Sequence, residues 1–272
     1  MSKKAEYIKG LSNYHKALEN LIEQNYGIKT DFLDIMGWGY TTTAFYIKTK
    51  AKDYIARVSA FSPEKDKSIK KEIFLSNKLH KVLPTVTYVA NKNGSDVTYF
   101  DNSILRISEH VQGLLPFSMD FDIFTQAILF LKLIHSQKVA GFPLETYTTT
   151  KNPVFLHGDL TPSNFLVSYG KICGILDFEM AMLGPAEWDL SRTSVFCWFR
   201  MDNVRFDKVV AHALAVYNKP DINFKLLFEL SKKHLITHLE NIEKHKNTYH
   251  TLQEWKTDYS FTYNKLQELS TL

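Results

Sequence analysis

The chain has 272 residues, 44% of them hydrophobic and 14% aromatic, so it is long and apolar enough to bury a large core. The net charge is only +4, and no Lys/Arg-rich tract is interleaved with aromatic residues, which argues against a nucleic-acid partner. Cys173 and Cys197 are too few for a disulfide framework, and no apolar run suits a signal peptide or a bilayer span; we expect a cytoplasmic protein without a membrane partner.

The first 110 residues predict a small β-rich lobe behind a leading helix. Apolar residues between Tyr7 and Ile22 recur every three or four positions, as in an amphipathic helix, and Gly27 can end it. Short apolar and β-branched runs then predict an antiparallel meander, with a charged helix over about 64–81. The predicted strands cover 32–36, 43–48, 54–59, 86–90 and 97–100, the last two around the turn NKNGSD, and a strand that ends near 109.

From Ser118 onward the pattern becomes mostly helical. The segment 121–137 has the helical period and an acidic residue in its first turn. Short strands are predicted at 154–156, 165–168 and 172–177, with Tyr169-Gly170 as a tight turn, and helices at 188–200, 203–217, 221–245 and 250–269. The sequence therefore predicts an α+β protein with a small antiparallel β lobe and a larger, mostly α-helical lobe.

One loop concentrates the side chains that can carry chemistry. In HGDLTPSN, Asp159 lies two residues after His157 and five before Asn164, and the glycine and proline disfavour a helix. We expect Asp177 to close a strand beside Asn164. A carboxylate and an amide oxygen suit Mg²⁺, which prefers hard oxygen ligands, while Asp159 can orient a hydroxyl and accept its proton. This division of labour is typical of phosphoryl transfer.

These motifs resemble those of a known enzyme family. HGDLTPSN, GILDF and GPAEWDL are similar to the HGDxxxxN, (I/L)D and Asp-Leu signatures of the aminoglycoside phosphotransferase and choline kinase family. The resemblance implies a protein-kinase-like fold, with a nucleotide-binding lobe over 1–110 and a catalytic and substrate-binding lobe over 111–272. It also implies ATP and Mg²⁺ as cofactors, Asp159 as the catalytic base, and Asn164 and Asp177 as the metal ligands.

The resemblance also assigns nucleotide contacts in the first lobe. Arg57 on the third strand takes the place of the usual phosphate-contacting lysine, with Lys48 as a reserve, and Glu72 is its natural ion-pair partner. Backbone groups of Glu109 and Val111, in the hinge between the lobes, are expected to pair with adenine. A glycine-bearing turn between two strands is expected to cover the phosphates, through Gly37, Gly39, Tyr40, Thr41 and Thr42.

Several residues near the motifs have a structural interpretation. We expect His157 to orient the loop and Asp189 to act as a helix N-cap or loop brace. His234 and His238 share a helix face, which we expect to be solvated, since no third ligand at zinc-site spacing accompanies them. The aromatic residues between 188 and 199 suit core packing, although a cage for a quaternary ammonium group is an alternative.

The acceptor is expected to be a small molecule with a hydroxyl group. Only eleven residues separate Asp177 from Asp189, which leaves no room for a peptide-binding platform, and Gly158 replaces the arginine that serves the phosphorylation switch of protein kinases. An antibiotic such as an aminoglycoside, or a metabolite such as choline, ethanolamine, thiamine or a sugar, fits this description. Two alternatives stay open: a catalytically inactive nucleotide-binding regulatory module on the same fold, and a metal-assisted hydrolase.

Overall fold

A computed structural model describes residues 3–38, 42–147, 152–246 and 251–271 of the chain. The chain forms two compact units, Met1–Gln112 and Gly113–Leu272. This division lies two residues beyond the boundary expected from the sequence, and the roles assigned to the two lobes stay predictions. Within the described ranges, no helix combines the length and the apolar composition needed to cross a bilayer.

The first unit consists of two helices and one antiparallel sheet. The strands follow the order β1-β2-β3-β6-β4, and β5 also pairs with β6. The elements are α1 (Lys3–Tyr26), β1 (Phe32–Trp38), β2 (Thr42–Lys48), β3 (Tyr54–Ala60), α2 (Pro63–Leu79), β4 (Tyr88–Val89), β5 (Thr98–Phe100) and β6 (Ser103–Glu109).

The core of this unit lies between α1 and one face of the sheet. Leu18 and Ile22 of α1 are buried in one cluster with alternate residues of the strands, among them Ala56 and Val58 of β3. Because successive side chains of a strand point to opposite faces, Arg57 is placed on the other face of the sheet. The alternation of apolar residues in β3 thus decides which face of the sheet Arg57 lies on.

The second unit is mostly helical, with two small antiparallel ladders. β7 pairs with β10 and β8 pairs with β9, while α4 packs against α3, α5 and α6. The elements are α3 (Phe121–His135), β7 (Val154–Leu156), β8 (Phe165–Ser168), β9 (Lys171–Ile175), β10 (Met182–Gly184), α4 (Ala186–Trp198), α5 (Phe206–Tyr217), α6 (Phe224–Lys244) and α7 (Leu252–Ser270).

The predicted α+β architecture, a β-rich first unit and a larger helical second unit, is confirmed. The predicted turn at Tyr169 and Gly170 is present: both have positive φ, +49° and +71°, as a tight two-residue hairpin requires. Two strand predictions need correction. The strands predicted at 86–90 and 97–100 do not pair with each other, since β4 and β5 both pair with β6. The sequence also missed β10, which at three residues is too short to show an alternation.

Candidate active site

A single glycine shapes the loop that joins β7 to β8. Gly158 has φ +85°, in the left-handed region, and a Cβ built there lies 2.2 Å from the Met180 carbonyl oxygen. No side chain fits at that distance, so the backbone itself requires the glycine of His-Gly-Asp. The same close approach holds the loop against the segment that follows Asp177.

Asp159 is held by two donors, one on each carboxylate oxygen. The Asn164 side-chain amide donates to Oδ2 at 2.9 Å and also to the Asp159 carbonyl at 2.9 Å. The Arg192 Nε–H donates to Oδ1 at 2.6 Å, and the Asp159 side chain remains 20% exposed. The carboxylate is therefore fixed in direction yet reachable, as a group that orients a hydroxyl must be.

The pairing of β8 with β9 brings Asn164 and Asp177 into neighbouring positions. The Leu176 N–H donates to the Asn164 carbonyl at 2.9 Å, just beyond the Phe165–Ile175 pair of the ladder. Asp177 has φ +62°. Such a conformation costs about 1–3 kcal/mol outside glycine and clusters at functional sites. The prediction that Asp177 closes a strand is wrong by two residues, because β9 ends at Ile175 and the chain turns away.

His157 lies behind the loop and is fully buried. Its Nε2 lies 3.0 Å from the Leu176 carbonyl, and its Nδ1 accepts the Asp159 N–H at 3.2 Å. These two contacts require a proton on Nε2 and none on Nδ1. The ring also packs on Phe178, with 4.4 Å between the ring centroids. This geometry suits the predicted orienting role, in which His157 takes no proton from a substrate.

Asp189 supports the loop from α4. Its carboxylate accepts the backbone N–H groups of His157 at 2.8 Å and Gly158 at 2.9 Å. Burial would raise the pKa of Asp189, but the hydrogen bond from His135 and the charge and donors around it outweigh burial and lower the pKa. Of the two predicted roles, the geometry favours the brace over the N-cap, since Asp189 lies inside α4 and residue Pro185 holds the N-cap position.

Sequence reasoning missed Arg192, the second partner of Asp159. It follows Asp189 by three residues on α4, so a helix places both on one side, and this spacing was the signal available. The expectation of a solvated histidine face on α6 is wrong for His234, which is only 3% exposed and packs edge-on against Trp188 at 4.9 Å. His238 is half-buried against Phe196. The helical period alone does not show which face of a helix a neighbour covers.

The aromatic residues of α4 divide between core and site. Trp198 is fully buried and donates its indole N–H to the Val204 carbonyl at 2.7 Å, as the core interpretation predicts. Trp188 is half-buried and donates its indole N–H to the Gly158 carbonyl at 3.4 Å, next to Asp159. Phe196 carries the Arg192 guanidinium over its ring at 5.1 Å. The Phe196 ring thus already holds a cation from the protein, the one that contacts Asp159.

In the first unit, two arginines face α2 from adjacent strands. Arg57 and Arg106 are cross-strand partners in the register of β3 and β6. Glu72 forms its ion pair with Arg106, at 3.1 Å between Nη2 and Oε2, and both side chains are buried. Arg57 instead donates to the Tyr88 hydroxyl at 3.3 Å, and that hydroxyl donates to Glu72. The predicted Arg57–Glu72 ion pair is therefore wrong, because Arg106 lies closer to the carboxylate.

Burial alone would raise the pKa of Glu72. The charges of Arg106 and Arg57 and the bond from Tyr88 reverse this effect, so the pKa lies below its usual range and Glu72 is ionised at neutral pH. Arg106 therefore supplies the counter-charge of the buried carboxylate, and Arg57, which is only partly buried, forms no ion pair with it within 4 Å. Lys48, the reserve candidate, is exposed at the end of β2.

The predicted phosphate-covering turn is described only at its two ends. Gly37 lies at an irregularity in the pairing of β1 with β2, and Thr42 opens β2 with its hydroxyl 2.8 Å from the Ser59 hydroxyl. Gly39, Tyr40 and Thr41 lie outside the described residues. The Thr42 hydroxyl is thus engaged within the sheet, and a phosphate contact from this residue stays a prediction.

The hinge residues show which backbone groups are in use. The Glu109 N–H donates to the Thr87 carbonyl at 2.9 Å, and its side chain pairs with Lys52 at the surface. Val111 is half-buried and follows the end of β6. A pairing of adenine with Glu109 can therefore use only the carbonyl of that residue, and Val111 would supply the N–H.

The chain is similar in sequence to one family and in fold to several solved structures. Residues 148–222 match the model of the phosphotransferase enzyme family. No curated protein sequence matches the chain. The crystal structure of spectinomycin phosphotransferase in complex with ADP and spectinomycin has a TM-score of 0.67 at 13% identity, over 93% of this chain and 97% of that one.

Two kinases of small metabolites share the same fold. A microcompartment-associated aminopropanol kinase has a TM-score of 0.73 at 14% identity, over 92% of this chain and 95% of that one. Choline kinase LicA from Streptococcus pneumoniae has a TM-score of 0.63 at 15% identity, over 96% of this chain and all of that one. The predicted protein-kinase-like fold is confirmed by these similarities.

The family match covers the loop with Asp159 and Asn164, Asp177, and the helix with Asp189 and Arg192. It confirms the predicted class of enzyme at the level of the family, because the family is one of phosphotransferases. The chain thus resembles the aminoglycoside phosphotransferase and choline kinase family in its residues 148–222 and in its fold.

Proposed function

We propose that the protein is an ATP- and Mg²⁺-dependent phosphotransferase that moves the γ-phosphoryl group to a hydroxyl of a small molecule. The observation that carries the proposal is the arrangement of Asp159, Asn164 and Asp177 around one loop and one ladder. The side chains of Asp159 and Asn164 are hydrogen-bonded directly, and the Asn164 carbonyl accepts the N–H of Leu176, the residue before Asp177. The Asp159 and Asn164 side chains thus meet, and the backbone of Asn164 lies beside the residue that precedes Asp177.

The donor set fits a magnesium ion. The Asn164 amide nitrogen donates to Asp159. Within the described part of the chain, the Oδ1 of Asn164 accepts no hydrogen bond, so this oxygen can face an ion. An amide oxygen and the Asp177 carboxylate are hard oxygen ligands that suit Mg²⁺. When bound, the ion neutralises charge on the phosphate oxygens. The left-handed backbone of Asp177 supports a functional assignment, since such conformations outside glycine cluster at functional sites.

Asp159 would orient the acceptor. Its fixed carboxylate accepts a hydrogen bond from the acceptor hydroxyl and so directs the oxygen toward the γ-phosphorus. The new O–P bond forms while the bond from the γ-phosphorus to the bridging oxygen breaks, and its electron pair leaves with ADP. The hydroxyl proton passes to Asp159 and then to solvent. His157 and Asp189 hold the loop in place throughout and exchange no proton.

The first unit would supply the nucleotide contacts. Arg57 is proposed to bind phosphate oxygens, with Glu72 held beside it by Arg106 and with Gly37 to Thr42 covering the phosphates. The carbonyl of Glu109 and the N–H of Val111 are proposed for adenine. A guanidinium presents a planar fork where a lysine presents a point charge, so Arg57 should hold two phosphate oxygens at once.

The decisive experiment is the Asp159→Asn variant. We expect the rate of ADP production with an acceptor to fall about 10³-fold or more, because the side chain keeps its shape but no longer accepts the proton. Binding of ATP, measured by titration calorimetry, should stay within about threefold, since Asp159 contacts the acceptor and not the nucleotide. Full activity in this variant would refute the assignment. Asp202→Asn, at an exposed position of the same unit, is the matched control.

An inactive nucleotide-binding module is the second candidate function. One observation favours it: Glu72 pairs with Arg106, so Arg57 of β3 lacks the ion-pair partner expected of an active kinase. Calorimetric binding of ATP without phosphate transfer to any acceptor would support this alternative. Release of phosphate that is independent of an acceptor would instead support the metal-assisted hydrolase.

The acceptor itself can be identified by following ADP production over a panel of alcohols. The solved structures of similar fold bind or are named for spectinomycin, aminopropanol and choline. Aminoglycosides, choline, ethanolamine, thiamine and sugars therefore form the first panel. We expect one class to exceed the others by at least tenfold in kcat/KM, as is usual for discrimination by a built pocket.

A further inference from the structure

We propose that Arg192 is an oxyanion-binding residue beside Asp159, and that its two Nη groups take an oxyanion of the reactants. This inference rests on the proposed function and adds a residue to its site. The oxyanion is either the phosphoryl group in transfer or a carboxylate that the acceptor carries close to its hydroxyl. Both present negatively charged oxygens with a spacing that a guanidinium fork can meet.

The guanidinium of Arg192 is held in place but only partly used. It has five N–H donors in a planar fork. Among the described residues only its Nε has a hydrogen-bond partner, the Asp159 Oδ1 at 2.6 Å. Its face lies over the Phe196 ring at 5.1 Å, and 19% of the side chain is exposed. The Nη groups are therefore pre-oriented next to the predicted base and remain available to a ligand.

Beyond the Asp159 carboxylate, two histidines and a lysine of α6 lie on the side of Arg192, and the charges of Asp189 and Asp258 also reach these histidines. His234 and His238 come from α6; burial, and then the charge of Arg192, lowers the pKa of His234 to about 3 and also lowers that of His238. Both imidazoles are thus uncharged at neutral pH. Lys233 lies 5.8 Å from the Trp188 ring. A ligand that reaches Asp159 from the α4 and α6 side thus meets a cation, aromatic rings and neutral imidazoles.

A purely structural role explains Arg192 poorly. Its ion pair with Asp159 leaves 19% of the Arg192 side chain and 20% of the Asp159 side chain exposed, so a ligand can reach both charges. Asn164 already holds Asp159 by two hydrogen bonds, so Arg192 is not needed to fix the loop. The Nη groups beside Asp159 instead suit the stabilisation of negative charge in the transition state.

The phosphoryl source can be tested without knowing the acceptor. The probe is MgADP with aluminium fluoride, which mimics the phosphoryl group in transfer, and its affinity is compared with that of MgADP alone by calorimetry. We expect Arg192→Gln to reduce the tightening caused by fluoride on the order of 10²-fold while the affinity for MgADP itself is unchanged. Arg192→Lys keeps the charge but not the planar fork, so the tightening caused by fluoride should fall less than in Arg192→Gln.

The second origin of the oxyanion, a carboxylate of the acceptor, is tested with matched pairs of alcohols. Glycerate against glycerol, and serine against ethanolamine, differ mainly by a carboxylate. If the oxyanion belongs to the acceptor, the wild-type protein prefers the carboxylate member in kcat/KM, and Arg192→Gln removes that preference through KM. Arg200→Gln, which changes an exposed arginine beyond α4, should alter neither measurement.

The Asp159→Asn background separates direct contact from an effect through Asp159. A direct oxyanion contact predicts that Arg192→Gln still weakens the fluoride complex or the carboxylate preference in this background. The inference is overturned if both measurements survive Arg192→Gln in an active protein, or if the loss disappears once Asp159 is changed. Failure of the proposed function is distinct, since the wild-type protein itself would then show no turnover and no fluoride complex.

Discussion

The two units of the molecule differ in how directly their candidate residues follow from the sequence. In the second unit, His157, Asp159 and Asn164 contact one another much as their spacing suggests. In the first unit, the expected pair of Arg57 with Glu72 is replaced by a pair with Arg106. The residues of the loop are close in sequence and form hydrogen bonds with the backbone of the loop itself. The partner of Glu72 instead depends on the register of β3 and β6. Motifs within a loop are thus predicted more safely than ion pairs across a sheet.

The strongest way to test the loop's dependence on its backbone is Gly158→Ala. We expect this change to cost about 2–6 kcal/mol in the free energy of unfolding, from the positive φ and from the overlap with the Met180 carbonyl together. The phosphotransferase activity should be lost with it. Thermal unfolding followed by circular dichroism measures the first effect.

Gly170→Ala supplies the control for this comparison. Gly170 also has a positive φ, but a Cβ there meets nothing within 4 Å. We expect a loss of about 1 kcal/mol, from backbone strain alone. Equal losses at both positions would mean that the close approach to Met180 does not shape the loop.

In the first unit, Glu72→Gln tests the pair that the sequence did not predict. The change leaves Arg106 as a buried cation without a counter-charge, which costs about 3–5 kcal/mol. Chemical denaturation measures this loss. Glu109→Gln breaks the surface pair with Lys52, whose side chains are 42% and 50% exposed, and should cost less than about 1 kcal/mol. A small loss of stability in Glu72→Gln would contradict the importance of the buried pair of Arg106 with Glu72.

An effect that is absent at neutral pH and appears only in acid concerns His234. Its pKa lies near 3 in the folded protein, below the ordinary value of 6.5, so the unfolded chain binds more protons between these values. Stability should therefore be fully present above pH 6.5 and fall by about 1 kcal/mol per pH unit as the pH drops toward 3. In His234→Phe, which keeps a ring against Trp188, this slope should flatten. An unchanged slope would contradict the assignment.

The sequence predicted the helices and most strands, because hydrophobic period, caps and glycine positions act locally. Ser62 accepts the Lys65 N–H and Pro63 opens α2, close to the predicted start at 64. The sequence predicted Asp177 beside Asn164. It did not predict that β9 ends two residues before Asp177, because the end of a ladder depends on competing contacts. The burial of His234 was not predicted, because the sequence of a helix does not show which neighbouring element packs on each face.

The amino-acid sequence by itself was enough to predict the fold class, the His-Gly-Asp loop and Asp159, Asn164 and Asp177 as candidate site residues. Only the tertiary structure decided that Arg106 pairs with Glu72, that Asp189 braces the loop from within α4, and that Arg192 contacts Asp159. The reason is physical: backbone conformation and periodicity are fixed by near neighbours, while the partner of a charge depends on which side chains the packing of strands and helices brings within a few ångströms.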